Sequence, residues 1–111
     1  MANSFKRKTG TGIGTSFVHI DSYTVAASTT VTVIGLTVAN VTAGAVKADV
    51  SLYDSMSNPI SIVKGAPIPS GGSLVVVGGD QKVVMETGDS MRVKSDTASS
   101  LDVIMSILEI T

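Results

Sequence analysis

One residue in three of this chain is valine, isoleucine or threonine, 37 of 111. β-Branched side chains lose rotamer freedom in a helix and pack well on a pleated surface, so such a chain is steered into strands. The arrangement of these residues agrees with their number. No stretch carries the helical apolar period over an ordinary helix length, and turn signals recur about every eight to twelve residues, as in an all-β sandwich or barrel. The expectation is an all-β fold: a two-sheet antiparallel β-sandwich, jelly-roll-like, of about eight short strands. An extended N-terminal arm at residues 1–14 would precede a sandwich domain at residues 15–111.

Individual strands can be read along the chain. Ser16–Ile20 and Tyr23–Ala27 flank an Asp21-Ser22 turn. Thr30–Asn40 changes parity at Gly35: Val31 and Val33 share one face, and Ile34, Leu36 and Val38 share the other. A glycine at such a change predicts a bulge or a bend between sheets. Val46, Ala48, Val50 and Leu52 alternate with Lys47, Asp49, Ser51 and Tyr53, the pattern of a half-buried antiparallel strand. Ile60–Lys64, Leu74–Val77, Lys82–Met85 and a segment around Met91 and Val93 follow, with a loop expected over residues 67–72. The last strand, Leu101–Ile110, is apolar on both faces. Leu101, Val103, Met105 and Ile107 line one, while Ile104, Leu108 and Ile110 line the other. Such a strand is either central or covered by a partner.

Residues 1–14 show no apolar period, three alternating glycines and three of the eight basic residues, Lys6, Arg7 and Lys8. This predicts an extension that is frayed or docks on a neighbouring subunit. It carries +3, leaving −4 on the remainder.

Composition removes most site chemistries. Without cysteine there is no disulfide, thiolate metal site or thiol nucleophile, and one histidine excludes a multi-histidine site within one chain. A net charge of −1 gives no general attraction to nucleic acid or anionic membrane. The charged fraction is 15%, below the roughly 25% of a typical soluble domain. Covering of the surface by other subunits accounts for that, as does a Ser/Thr-rich surface. No segment reads as a membrane helix or secretory signal, so the expectation is cytoplasmic synthesis, and Asn40-Val41-Thr42 is a chance sequon.

The remaining candidates are modest. Gly10-Thr11-Gly12-Ile13-Gly14 has the glycines of a phosphate loop, but a basic arm precedes it and a strand follows, where phosphate binding needs a strand and then a helix. His19 reads as a surface or interface histidine rather than a catalytic one. The nine carboxylates are scattered, mostly at turns, where Asp caps local backbone. Asp80, Glu86 and Asp89 would be the set to converge on a cation, at a spacing unlike a calcium loop. Tyr53 shares a face with Lys47 and Asp49 and is the possible ligand contact. These residues give no catalytic, cofactor or metal site to assign, and the expectation is a protein that is not an enzyme.

Four stretches, MANSFKRKTGTGIGTS, SYTVAASTTVTVIGLTVAN, APIPSGGSLVVVGGDQKVVMETGDSMRVKS and SLDVIMSILEIT, carry a resemblance to small virion structural proteins of tailed bacteriophages, those of marine cyanophages in particular. The resemblance implies an oligomeric β-sandwich subunit, a trimer or ring, that decorates or connects parts of the capsid, neck or tail. It would touch other virion proteins and be assembled in the host cytoplasm. It carries no active-site residues. On this reading Ile104, Leu108 and Ile110 contribute to subunit contacts, and Lys6, Arg7 and Lys8 touch a neighbour. Met56, Met85, Met91 and Met105 offer adaptable packing. The alternative is a receptor- or glycan-binding module of a fibre or spike, built around Tyr53.

Overall fold

A computed structural model describes residues 2–78 and 81–111. Among these residues, nine strands form two antiparallel sheets. Sheet A is ordered β1 (Asn3–Ile13), β9 (Leu101–Ile110), β3 (Thr30–Asn40) and β6 (Ser73–Val77), with β7 (Val83–Met85) also pairing β3. Sheet B is ordered β2 (Val18–His19), β8 (Ser90–Ser95), β4 (Val46–Tyr53) and β5 (Pro59–Ile68). β6 pairs Leu36–Ala39 of β3 and β7 pairs Val31–Val33, so the two are one interrupted strand along a single edge. Counted that way, eight strands lie in two four-stranded sheets. Every connection between these eight except the β4–β5 hairpin crosses from one sheet to the other, and the result is a jelly-roll sandwich.

The core between the sheets comes from the inward parity of each strand. Val31, Val33, Leu36 and Val38 of β3 meet Val103, Met105 and Ile107 of β9, with Ala48 and Val50 of β4 and Met91 and Val93 of β8 opposite. The register of β3 against β9 shifts between Val33 and Gly35, so of the two expected features, a bulge or a bend between sheets, the bulge is present. It keeps Leu36 and Val38 inward after the parity change. β4 and β9 have the boundaries read from the sequence. β9 lies between β1 and β3, which accounts for one apolar face and leaves the other outward.

Three expectations change. The arm expected over residues 1–14 is, over its described residues, not free. Asn3–Ile13 is the edge strand β1, paired along its length with β9. Most of its side chains on both faces are exposed, so no apolar period marks it, and its backbone ladder holds it in place. Gly10 belongs to this pairing: a Cβ there would lie 3.0 Å from Val103 Cγ1. The glycine run is therefore part of a strand, with another strand after it and no helix N-terminus to hold a phosphate.

Second, the expected strands on either side of Asp21-Ser22 shrink to Val18–His19 and a 3-10 turn at Ile20–Ser22. Tyr23–Ala27 is tied instead by the Val25 N–H to the Asp89 carbonyl (3.0 Å) and the Gly88 N–H to the Val25 carbonyl (2.9 Å). Third, β5 continues through Pro67 to Ile68, where a loop was expected. β5 is an edge strand, and an edge tolerates proline because one side of its ladder has no partner.

Candidate functional site

Two surfaces hold the chemistry of this chain: the outer face of sheet A, and a groove at one end of the outer face of sheet B.

Directly opposed residues in an antiparallel ladder point to the same face. On sheet A, Phe5 and Thr32 oppose Leu108, Thr9 and Thr37 oppose Ile104, and Asn3 and Thr30 oppose Ile110. Val84 opposes Thr32 and Val75 opposes Thr37. All of these point away from the core. Phe5 is 77% exposed, Val75 64%, Val84 58% and Ile104 47%, while Leu108 and Ile110 are half-buried. The face is a threonine floor with apolar side chains across all of its strands. The interface trio expected from sequence lies on it together. Phe5, Val75 and Val84 were not foreseen. The Leu74-Val75-Val76-Val77 run, apolar at both parities on one strand, was the available signal.

The three basic residues of β1 separate. Lys6 Nζ lies 2.7 Å from Glu109 Oε1, and Tyr23 donates its phenol hydrogen to Glu109 Oε2 at 2.5 Å. Lys8 Nζ sits 4.7 Å from the Tyr23 ring centre. Lys6 and Lys8 thus latch β1 to β9 and to the Tyr23 segment within one chain. Arg7 opposes Ser106 and shares the outer face of sheet A. The hydrogen bonds from Lys6 and Tyr23, and the charge of the two lysines, hold the Glu109 carboxyl below its usual range. Burial and the Glu109 carboxylate push the Tyr23 phenol up.

On sheet B, Asp49, Ser51 and Tyr53 oppose Lys94, Arg92 and Ser90, all on the side away from the core. The Arg92 guanidinium lies 4.0 Å from the Tyr53 ring centre, and Phe17 meets Tyr53 edge-on at 5.6 Å. Lys94 stands 4.9 Å from the Phe17 ring centre and 3.7 Å from Asp49 Oδ2. Tyr53 is therefore half-buried and capped by a cation on one ring face, rather than an open platform for a sugar. His19 opposes Arg92, and burial first, then the Arg92 charge, lower its pKa.

At the adjoining end, Lys47, Asp49, Lys64, Gly65, Lys94 and Asp96 line an open groove of about 430 Å³. Both aspartates are committed to the backbone. Asp49 Oδ1 accepts the Gly65 N–H at 2.6 Å, and Asp96 Oδ1 accepts the Lys47 N–H at 3.0 Å. The Lys47 amide and the Thr97 hydroxyl hold the Asp96 carboxyl below its usual value.

No group of three His, Cys, Asp or Glu side chains able to hold a metal ion occurs among the described residues. Asp89 Oδ2 accepts the Glu86 N–H at 2.9 Å, a turn contact, and Asp80 of that expected cation set lies outside the described residues. No helix among the described residues is long and apolar enough to cross a membrane.

Sheet order and crossovers define the class as a jelly-roll β-sandwich. Within that class the chain is similar to a solved chain described in the words "Bacillus endospore appendages form a novel family of disulfide-linked pili". The two are 12% identical, over 99% of this chain and 87% of the other, with a TM-score of 0.59, a likeness of fold. No family model matches the chain, and no curated protein matches it.

Proposed function

We propose that this chain is a non-enzymatic structural subunit that associates with copies of itself. The observation that carries the reading is the outer face of sheet A. There the exposed side chains of Phe5, Val75, Val84 and Ile104 stand on a threonine floor, and exposed clusters of apolar side chains mark interaction sites. The fold neighbour, described as forming pili, supports the same reading.

The resemblance of the sequence to tailed-phage virion proteins supports a finer version. On it, the subunit decorates or connects parts of a capsid, neck or tail and touches other virion proteins. The glycan-binding alternative loses support from Tyr53, whose ring lies under Arg92.

The test is analytical ultracentrifugation at tens of micromolar. The wild type should sediment above its 11.3 kDa monomer mass. Ile104→Lys places a charge on an exposed position and should give a monomer with an unchanged circular-dichroism spectrum. A wild type that stays monomeric, or an Ile104→Lys variant that associates as before, overturns the reading. For the finer version, antibodies against the chain should label purified virions, and unlabelled virions would overturn it.

A further inference from the structure

The two ends of the sandwich carry opposite charge. At one end the segments 54–58 and 86–89 contain Asp54, Glu86 and Asp89 and no lysine or arginine. Two of these carboxylates are engaged locally. Asp54 Oδ1 accepts the Met56 and Asn58 N–H groups, and Asp89 accepts the Glu86 N–H. The Glu86 side chain is exposed and forms no hydrogen bond or ion pair among the described residues.

The other end holds the groove, where the balance is reversed. Lys47, Lys64 and Lys94 face Asp49 and Asp96, whose oxygens already accept backbone N–H groups. Lys94 keeps a long ion pair with Asp49, while Lys47 and Lys64 have no ion pair among the described residues. β8 runs from the Glu86–Asp89 turn to the groove, and its six residues span about 20 Å. Glu86 therefore cannot reach the groove of its own chain.

We infer that the groove receives the Glu86–Asp89 turn of a second copy, with the Glu86 carboxylate seated between Lys47 and Lys64. Charge complementarity between the ends names the occupant. Head and tail are different surfaces, so the contact is heterologous and generates a ring or an open-ended filament. The inference rests on the reading that copies associate, but Lys47 and Lys64 lie on the opposite sheet from Ile104 and Glu86 lies in the turn between the sheets.

The experiment measures association of wild type, Glu86→Lys and Lys64→Glu by ultracentrifugation at about 50 mM and about 500 mM salt. Each variant alone sets like charges against each other and should associate at least about tenfold more weakly than wild type at low salt. In an equimolar mixture, the turn of each variant finds an opposite charge in the groove of the other. Alternating copies of the two should therefore recover wild-type association. High salt should weaken wild type and mixture alike. Variants that associate like wild type, or a mixture that fails to recover, overturn the inference. If Ile104→Lys dissociates the protein while the charge variants do not, the assembly reading stands and the head-to-tail contact falls. A wild type monomeric at both salts removes both.

Discussion

Replacing Asn40 with alanine should destabilise the fold by about 3 kcal/mol, and the structure shows where the loss arises. Asn40 ends β3 with its side chain 3% exposed. Its amide nitrogen donates to the Gly44 carbonyl at 2.8 Å and to the Ile68 carbonyl at 3.0 Å. Its oxygen accepts the Thr42 N–H at 2.9 Å and the Thr42 hydroxyl at 2.7 Å. One side chain thus folds the 41–45 turn and ties it to β5. The bond to Ile68 is buried, and leaving that carbonyl unpaired costs about 1–3 kcal/mol. The other three bonds are part-buried and their groups reach water after truncation, at about 0.5 kcal/mol each.

An unfolding entropy of about 2.1 cal/mol/K per residue over 111 residues is about 0.23 kcal/mol/K, so about 3 kcal/mol lowers Tm by about 13 °C. Asn40→Asp is the sharper control. It keeps one acceptor but aims a carboxylate oxygen at two carbonyls, and should cost more than alanine at neutral pH. Differential scanning calorimetry reads both. A drop of less than about 4 °C for Asn40→Ala, or an Asp variant more stable than the Ala variant, refutes the reasoning.

Two further outcomes follow from local geometry. The Glu109 carboxyl is held below its ordinary value by Lys6 and Tyr23, so its contribution is present above the unfolded carboxylate range and is lost as pH falls through the folded value. Amide exchange of residues 4–8 in β1 should therefore speed up in acid relative to the rest of sheet A, and Glu109→Gln should remove that difference. An acid response that persists in the variant would count against the latch. Gly88 has φ +88°, and a Cβ there would lie 2.6 Å from the Ser55 Cβ. Gly88→Ala should cost about 2–3 kcal/mol, read as a shift of the urea midpoint, and a Ser55→Gly background should recover part of it. No loss in the single variant would mean that the two turns do not touch.

The sequence shows most plainly what depends on burial. β4 and β9 were legible to the residue because one face of each is core, and alternation records that face directly. The bulge at Gly35 was legible for the same reason: the apolar parity changes there. β1 was not legible, because an edge strand with both faces largely exposed has no face to mark, and its order comes from hydrogen bonds to β9. Asn40 shows a different loss. In sequence Asn40-Val41-Thr42 is a chance sequon, whereas in the fold the asparagine amide is buried and fully bonded, and the threonine is one of its partners. Ile104, Leu108 and Ile110 were legible as a second apolar face, but Phe5, Val75 and Val84 joined them only once the strand order was known. The groove was invisible in the sequence. Lys47, Lys64 and Lys94 come from three strands, and only once these are brought together do the lysines outnumber Asp49 and Asp96 by one charge.

These features bear on how copies would hold together. Without cysteine, these 111 residues cannot form the disulfide link named for the fold neighbour, and the two surfaces described above offer non-covalent contacts. An apolar face of threonine, valine and isoleucine supplies adhesion but little direction, because hydrophobic burial is non-directional. A pair of oppositely charged ends supplies direction and register but little affinity, because exposed ion pairs contribute only about 0–1 kcal/mol. Each contact is weak alone. Engaged together, the first raises the effective concentration for the second, so the assembled state gains more than either contact provides separately. Such an assembly would be cooperative and sensitive to salt, and disrupting either surface would be enough to dissolve it.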